Sequence, residues 1–280
     1  MRRLGRKLLK RCITIILVAI IIYIDARYIE PKLLVIDEEE VVTNIIPIDG
    51  ELKIVQFSDI HLGADYTLDQ FYGVVDKINE MNADIVIFTG DLIDNNKTYT
   101  DEDGVTYALS KICSKYGNYA VIGNHDHGGN GTRRYKRIMK NAGFNLLVNE
   151  NDTITLDNGS KIDIIGIDDI VLSKPDFYEA YKGTSEDSFK LFLSHAPDVD
   201  DLIANKVDLQ LSGHSHGGQV RIPIIGAPYK ISYGKEYVKG MYRAEDERLV
   251  YVSAGIGTSQ VPYRFCNLPS ITEITLKNKK

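Results

Sequence analysis

Six histidines carry most of the chemistry available to this chain, and short polar clusters contain all of them but His127. The clusters are Asp59-Ile60-His61, Gly90-Asp91-Leu92-Ile93-Asp94, Gly123-Asn124-His125-Asp126, Ser194-His195-Ala196-Pro197 and Gly213-His214-Ser215-His216. Imidazole, carboxylate and one amide oxygen form the ligand set of a transition-metal site, not of an oxygen-only Ca²⁺ or Mg²⁺ site. The sequence therefore predicts a hydrolase that uses two metal ions.

The last of these clusters lies in the sequence LQLSGHSHGGQ, residues 209–219. His214 and His216 would face opposite ways in an extended strand, because side chains alternate along it. We therefore expect both in the loop after Leu211, where they can reach different metal ions. The neighbouring glycines allow the tight backbone course that this loop needs.

Apolar periodicity predicts the elements that position these side chains. Residues 52–57, 84–89 and 119–122 are typical of strands, and residues 67–81 and 105–112 of the helices between them. The second of these helices is indicated by Val105, Ala108, Leu109 and Ile112. Alternating strands and helices predict a largely parallel sheet covered by helices.

Further elements are predicted in the second half of the chain. Asp157-Asn158-Gly159 between two alternating segments indicates a hairpin over residues 153–165. The other predicted elements are helices at 132–142 and 199–204, buried strands at 191–193 and 209–211, and antiparallel strands at 249–253 and 271–276. Gly255-Ile256-Gly257 is expected to be a turn, because no helical pattern follows it.

Five of the predicted strands end beside a residue that can bind a metal ion. The pairs are Phe57 before Asp59, Phe88 before Asp91, Ile122 before Asn124, Leu193 before His195 and Leu211 before His214. Ligands of α/β sheets gather beyond the carboxyl ends of strands. We therefore expect one edge of the fold to collect all five clusters.

In this order, the patterns DxH, GDxxD, GNHD, SHxP and GHSH resemble the metallophosphoesterases of the calcineurin-like superfamily, over roughly residues 52–276. Gly217-Gly218-Gln219, Pro262-Tyr263-Arg264 and Asn267-Leu268-Pro269 resemble its membrane-associated bacterial branch, the YkuE-like and YaeI-like proteins. The resemblance implies an α/β (α+β) fold, a four-layer α/β/β/α sandwich of two mixed sheets.

The resemblance also implies a role for each polar residue. Asp59, His61 and His216 would hold the first metal ion, Asn124, His195 and His214 the second, and Asp91 would bridge them. His125 would protonate the leaving oxygen or neutralise the phosphoryl charge. Asp94 and Asp126 are expected to orient the ligands by accepting hydrogen bonds. His127 matches no family position and is expected at the surface or behind the ligands.

The N-terminus differs in character from the rest of the chain. Its first eleven residues contain six basic side chains and no acid; without these six, 27 basic residues face 39 acidic ones, a net charge of −12. The acidic remainder of the chain disfavours sequence-independent binding to nucleic acid, which needs a basic protein surface. We predict a basic N-terminus and membrane signal anchor at 1–25, a linker at 26–50 and a calcineurin-like phosphoesterase domain at 51–280.

The apolar stretch at 12–24 is short for a membrane span, since thirteen helical residues cover about 20 Å of a roughly 30 Å hydrocarbon core. Leu8 and Leu9 could lengthen it. An uncleaved anchor is favoured because no A-x-A-like cleavage site follows; a cleaved signal and a surface-lying helix stay open. Arg2-Arg3 is compatible with twin-arginine export. Basic residues that flank a membrane span usually stay in the cytoplasm, so the basic N-terminus predicts a single-pass cell-membrane protein with its catalytic domain outside the cytoplasm.

The three cysteines predict no disulfide framework. Cys12 lies in the apolar segment, and Cys113 and Cys266 could form one pair, although two buried thiols are favoured.

The sequence as a whole favours a membrane-anchored phosphoesterase with Mn, Fe or Zn as its two divalent metal ions. The anchor and the apolar segment IPIIGAPY at 222–229 favour a phosphodiester or lipid-linked phosphate as substrate, although this segment could equally be an ordinary strand and turn.

Of the six tyrosines between Tyr229 and Tyr263, we expect most to pack on strands and one or two to line the substrate groove. Alternatives are a UDP-2,3-diacylglucosamine-type pyrophosphate hydrolase, a secreted nuclease and a non-catalytic metal-binding scaffold.

Overall fold

The structure is a computed structural model of the 280-residue chain. It describes residues 2–44, 47, 50–63, 65–199, 203 and 206–278. The helix that the sequence predicts at 199–204 lies largely outside the described residues.

The described residues form twelve strands in two mixed sheets. The strands are β1 (Val35–Thr43), β2 (Glu51–Phe57), β3 (Ile85–Phe88), β4 (Asn118–Ala120), β5 (Asn145–Leu146), β6 (Glu150–Thr155), β7 (Lys161–Gly166), β8 (Phe189–Leu193), β9 (Leu209–Ser212), β10 (Gly240–Arg243), β11 (Leu249–Val252) and β12 (Ser270–Asn278). The first sheet has the order β1-β12-β2-β3-β4-β5, and the second has the order β10-β11-β9-β8-β7-β6.

Each sheet has a parallel centre. β2, β3, β4 and β5 run parallel in the first sheet. β7, β8, β9 and β11 run parallel in the second. Because parallel neighbours point the same way, the carboxyl ends of the strands before the polar clusters lie at a common edge.

Six α-helices accompany the strands in the described part of the chain. They are α1 (Arg2–Ile24), α2 (Leu68–Glu80), α3 (Glu102–Leu109), α4 (Asn124–His127), α5 (Thr132–Asn141) and α6 (Phe177–Tyr181). α2 begins where the sequence predicts, because Thr67 and Gln70 form a capping box in which each side chain accepts a hydrogen bond from the backbone of the other.

The strand side chains explain the layers. In β3, Ile85 and Ile87 join the core between the two sheets, whereas Val86 and Phe88 join the core beneath the helices. Both faces of this strand are therefore buried, which is why its sequence is continuously apolar. A smaller core packs α6 on the outer face of the second sheet. The four-layer α/β/β/α sandwich is thus confirmed.

The structure differs from the sequence prediction at the end of the chain. β11 and β12 were expected to be antiparallel strands, but each has one parallel and one antiparallel neighbour. Cys113 and Cys266 are exposed free thiols instead of buried ones. Neither feature has a local signal, because pairing direction and exposure depend on distant segments.

The predicted linker at 26–50 contains a strand. β1 pairs in parallel with β12 over nine residues, Val35–Thr43 with Ser270–Asn278. It buries Val41 and Thr43 and exposes Glu38 and Glu40. Acidic side chains on an edge strand oppose pairing with other chains. The same acids led the sequence to predict a linker, so the prediction is wrong for these residues.

The N-terminal helix stands apart from the sandwich. All side chains from residue 5 to residue 24 are exposed, and the helical course continues through a π-helical turn at Asp25–Ile29 to Lys32. By length and composition, Gly5–Lys32 could cross a membrane. It is thus longer than the thirteen apolar residues suggest.

Removing β1 should destabilise the sandwich. We expect a chain of residues 45–280 to melt at least about 5 °C below a chain of residues 25–280, because full burial of a Val side chain contributes roughly 1.5–3 kcal/mol. Differential scanning calorimetry of the two proteins measures this difference. Equal melting temperatures would show that β1 is a passive tether.

Candidate metal centre

Asp59 and His61 lie in the turn after β2 and are almost fully buried. Backbone hydrogen bonds fasten this turn to the one after β3. The N–H of Asp59 donates to the carbonyl of Gly90 at 2.9 Å, and the N–H of His61 donates to that of Asp91 at 3.2 Å. The two turns therefore hold their side chains in a fixed relation.

Asp91 occupies the middle of the site. Its Oδ2 lies 3.5 Å from Nε2 of His61 and 3.3 Å from Nε2 of His195. Its Oδ1 accepts the backbone N–H of His125 at 2.8 Å. One carboxylate thus faces side chains of both predicted ligand groups, as a bridging ligand would.

Asp59, His61 and His216 converge as the first group. Their potential ligand atoms all lie within 4.8 Å of one another. The two imidazole Nε2 atoms are 3.0 Å apart, and Nε2 of His216 is 3.5 Å from Oδ1 of Asp59. This triad is the one predicted for the first metal ion.

His195 and His214 belong to the predicted second group, and backbone carbonyls orient both rings. Nδ1 of His195 lies 2.7 Å from the carbonyl oxygen of Thr89, and Nε2 of His214 lies 2.9 Å from that of Ser232. Because a carbonyl can only accept, these nitrogens carry the protons, which leaves Nε2 of His195 and Nδ1 of His214 free to bind a metal ion.

These residues fit a metal centre. Nε2 of His195 faces the Asp91 carboxylate at 3.3 Å without hydrogen-bond geometry, and Oδ1 of Asn124 is buried without a hydrogen-bond partner, which is costly unless another group satisfies them. The Nε2 atoms of His61 and His216 lie only 3.0 Å apart, so each has the other ring as its neighbour. Cations between these atoms would satisfy all of them, and the nitrogen and oxygen donors suit Mn, Fe or Zn.

The backbone is strained at most of the predicted ligands. Five of them have a left-handed backbone, namely Asp59 (φ 53°), His61 (49°), Asp91 (61°), His214 (67°) and His216 (51°). Residues other than glycine rarely adopt this region, and such strain concentrates at functional sites. The turns therefore sacrifice local stability to aim these side chains.

Two glycines let the backbone approach the carboxylates. A Cβ at Gly123 would overlap Oδ1 of Asp91, and a Cβ at Gly213 would overlap Oδ2 of Asp59. The glycines that precede Asn124 and His214 are thus required for close packing and not only for chain flexibility.

Asp91 and His195 stabilise each other's charges. Burial raises the pKa of Asp91, but attraction to His195, His61 and His125 outweighs burial and holds this pKa well below its usual value. Burial lowers the pKa of His195, yet attraction to Asp91 raises it to about 10. A metal ion at Asp91 would compete with the His195 proton, because a ligand must be deprotonated.

His214 and His216 are held neutral. Burial, followed by repulsion from His195, lowers the pKa of His214. Burial and then repulsion from His61 lower the pKa of His216 well below its usual value. Both side chains are therefore in the form that binds a metal ion.

Asp126 and Asp94 support the site in different ways. The buried carboxylate of Asp126 accepts the backbone N–H groups of Asp91, Leu92 and Gly123 at 2.8–3.0 Å. Burial and repulsion from Asp91 raise the pKa of Asp126 to about 7. Oδ1 of Asp94 lies 3.4 Å from Nδ1 of His61.

His125 reaches the site from the start of α4. Its Nδ1 donates to the carbonyl of Asp94 at 2.8 Å, and its ring packs edge-on against His61 with centroids 4.5 Å apart. Burial lowers its pKa, but attraction to Asp91 and the hydrogen bond to Asp94 raise it overall. The side chain of His125 lines a cavity.

His127 takes no part in this cluster. Its Nε2 lies 2.7 Å from Oδ1 of Asp168 and its Nδ1 lies 2.9 Å from Oγ1 of Thr132. The side chain joins α4 to the loop after β7, so its role is structural.

The sequence did not reveal a contact network behind His216. The side chain of Asn267 donates to the carbonyl of His216 at 2.7 Å. The carboxylate of Glu30 in turn accepts the backbone N–H groups of Cys266 and Asn267 at 2.9 and 3.2 Å. The segment that follows α1 therefore supports a predicted metal ligand. The Asn267-Leu268-Pro269 motif was the only local signal of it.

Arg264 supports the opposite side of the same loop. Its buried guanidinium donates to the carbonyls of Ala254, Gly255, Gly257 and Asn267. The N–H of Gly257 in turn donates to the carbonyl of Asp59 at 2.7 Å. The chain bends at residues 256–257, and no helix follows this segment in the described part of the chain, in agreement with the prediction that it is not a dinucleotide-binding loop.

Two of the cavities that adjoin the predicted metal ligands matter for substrate binding. The one we call the polar cavity has a volume of about 360 Å³, with His61 and His125 at its inner wall and Asp65, Asn95 and Gln260 towards solvent. The one we call the apolar cleft has a volume of about 130 Å³. His214 and His216 line it together with the apolar side chains of Val220, Pro228, Tyr229, Ile231 and Val261.

Comparisons with known proteins agree with this geometry. Residues 52–218 match the calcineurin-like phosphoesterase family. The metallophosphoesterase YkuE of Bacillus subtilis (strain 168) is 41% identical over 256 residues, which are 90% of this chain and 89% of that protein. YkoQ of the same strain is 31% identical over 236 residues, covering 81% of this chain and 84% of that protein.

Other similar proteins are more distant. A Danio rerio protein named transmembrane protein with metallophosphoesterase domain is 27% identical, over 81% of this chain and 53% of its own length. Among solved structures, a dimetal phosphatase from Danio rerio has a TM-score of 0.43 at 10% identity, covering 77% of this chain and 93% of that chain.

Asn267→Ala should weaken metal binding although Asn267 is not a predicted ligand. We expect metal affinity to fall about 10- to 100-fold, because the substitution frees the backbone of His216. Titration of the metal-free protein with Mn²⁺, followed by calorimetry, measures this change. Cys266→Ala is the matched control, because Cys266 is the residue next to Asn267 and its thiol is free and exposed. Equal affinity in both variants would contradict a positioning role for Asn267.

Proposed function

Because this chain belongs to the calcineurin-like phosphoesterase family and is a metal-dependent phosphoester hydrolase, we propose that it is a membrane-anchored phosphodiesterase with two metal ions. The observation that carries the proposal is the convergence of two groups of buried side chains, Asp59 with His61 and His216, and Asp59 with Asp91 and His195. Oδ2 of Asp91 lies 3.5 Å from Nε2 of His61 and 3.3 Å from Nε2 of His195, so it contacts a side chain of each predicted ligand set. A carboxylate shared between two ligand groups suits a pair of cations.

In this proposal, Asp59, His61 and His216 hold one ion, Asn124, His195 and His214 hold the other, and Asp91 binds both. The two ions would supply Lewis acidity to the phosphoryl oxygens and acidify an attacking water. Mn, Fe and Zn all suit this donor set.

His125 is the proposed general acid. Asp94 fixes its ring through Nδ1, so that Nε2 can deliver a proton to the leaving oxygen or a hydrogen bond to the phosphoryl group. Asp126 holds the backbone on which Asp91 is presented, through three N–H donors. Buried side chains exclude water from the inner face of the centre.

Diesters are favoured over monoesters because two separate cavities adjoin the predicted metal ligands, one at His61 and the other at His214 and His216. A diester carries two substituents, one for the polar cavity and one for the apolar cleft. The cleft, at about 130 Å³, disfavours a UDP-2,3-diacylglucosamine-type substrate with two acyl chains. A nuclease is disfavoured because the chain beyond its basic N-terminus carries a net negative charge, which repels the phosphate backbone of nucleic acids.

The exposed apolar helix α1 is the proposed anchor. An exposed apolar surface of this extent needs a membrane or another partner. Its basic N-terminal flank favours a cytoplasmic N-terminus and a catalytic domain outside the cytoplasm. A substrate presented at the membrane surface, lipid-linked or part of the cell envelope, fits this arrangement.

Two substitutions separate metal binding from proton transfer. We expect Asp91→Asn to lose bound metal, measured by mass spectrometry, together with activity. His125→Asn should keep both metal ions and lose about 10²- to 10⁴-fold in kcat on bis-p-nitrophenyl phosphate. His127→Asn, on the same helix, should keep metal and activity.

Three results would count against the proposal. Full activity of His125→Asn would remove its acid role. A faster wild-type reaction on p-nitrophenyl phosphate than on the diester would favour a monoesterase, and faster turnover of an oligonucleotide would favour a nuclease. Bound metal without turnover of any ester would favour a non-catalytic scaffold.

Membrane anchoring is tested by alkaline carbonate extraction. We expect the full chain to stay in the membrane pellet, because α1 is long enough to span the bilayer. Release into the supernatant would contradict an uncleaved anchor. A protease added to intact cells should reach the catalytic domain.

A further inference from the structure

We propose that the apolar cleft binds the hydrocarbon part of the substrate, as a single chain attached close to the phosphate. The inference deepens the proposed phosphodiesterase function and rests on it. The occupant would be an amphiphilic phosphodiester with one polar and one hydrocarbon substituent.

Two predicted metal ligands line the cleft and so limit the distance between a hydrocarbon bound in it and the phosphorus. His214 and His216 both lie in its lining, and both are predicted metal ligands. A group in the cleft therefore begins beside the site where the phosphate would bind. Only a chain joined to the phosphate through a few bonds can fill both places.

The two walls of the cleft are joined before any substrate binds. Gln219 is nearly buried, and its side-chain amide donates to the carbonyl of Val261 at 2.7 Å. Its side-chain oxygen accepts the N–H of Ser259 at 2.8 Å. One residue thus clamps the loop that carries Val261 to the loop that carries the metal-binding histidines. A preformed cleft loses little entropy on binding.

The outer end of the cleft lies close to the membrane helix. Val261 and Tyr229 are exposed there, by 49% and 65%. Two residues beyond Val261, the ring of Tyr263 contacts Tyr23 at the end of α1, with centroids 5.9 Å apart. The next residue, Arg264, donates its N–H to the carbonyl of Ala26 at 2.9 Å. The cleft therefore opens near the point where α1 would leave the bilayer, which is why we assign it a lipid chain.

The size of the cleft limits the chain. Its volume of about 130 Å³ is close to the roughly 150 Å³ of an engineered apolar cavity that binds benzene. About six carbons of one chain fill such a space. Two chains, or contacts with carbons further from the phosphate, lie outside it.

A chain-length series tests the inference on the full-length protein in lipid nanodiscs. The substrates are methyl, butyl, hexyl and dodecyl esters of p-nitrophenyl phosphate, which share one leaving group. Each buried methylene contributes about 0.8 kcal/mol, so kcat/KM should rise about three- to fourfold per carbon. The rise should stop near six carbons, where the cleft is full.

Substitutions locate the effect. Tyr229→Ser and Val261→Ser should each reduce the ratio of hexyl to methyl kcat/KM at least tenfold. Ile225→Ser is the matched control, because its side chain is exposed on the same loop as Tyr229 but does not line the cleft. It should leave the ratio unchanged, and it also corrects for partition of the esters into the nanodisc.

The possible failures are distinguishable. Hydrolysis of the methyl ester without a chain-length effect would overturn the cleft assignment and leave the phosphodiesterase intact. An equal loss in all three variants would assign the chain to the membrane surface instead of the cleft. Metal-loaded protein that hydrolyses no ester would overturn both the proposed function and this inference.

Discussion

Two buried carboxylates impose the constraint on which the structure depends. Asp59 and Asp91 are 0% and 2% exposed, and an ionised carboxylate is costly to bury unless opposite charge and hydrogen bonds surround it. Here imidazoles and backbone N–H groups from several strand ends do so. None of the loops at these strand ends can therefore change conformation independently, because each loop carries groups that neutralise a charge on another loop.

The sheet arrangement makes this concentration of polar groups possible. Parallel strands deliver their carboxyl ends to one edge, where short turns can be joined by backbone hydrogen bonds. The left-handed backbone at Asp59, Asp91, His214 and their neighbours is stable only because the surrounding core over-determines it. Strain at the site is thus balanced by apolar packing in the two cores that cover both faces of strands such as β3.

The N-terminal segment is part of this architecture and not an appendage. β1 extends the first sheet, and Glu30 binds the backbone beside Asn267, which holds the carbonyl of His216. An N-terminal helix attached through such contacts has a fixed relation to the candidate metal centre. This relation distinguishes the chain from a catalytic domain on a flexible tether, whose site could face any direction. It also explains why the rim of the apolar cleft and the end of α1 are neighbours.

The sequence by itself determined the elements whose signals are local. Thr67 with Gln70 marked the start of α2, the apolar runs marked the central strands, and the five polar clusters marked the residues that converge. Tertiary structure alone decided what depends on distant partners. β1 pairs with residues more than 230 positions away, and Glu30 meets Asn267 across a similar separation. Hydrophobic periodicity reports which face of a segment is buried, but not what covers it, so these contacts had no local signal.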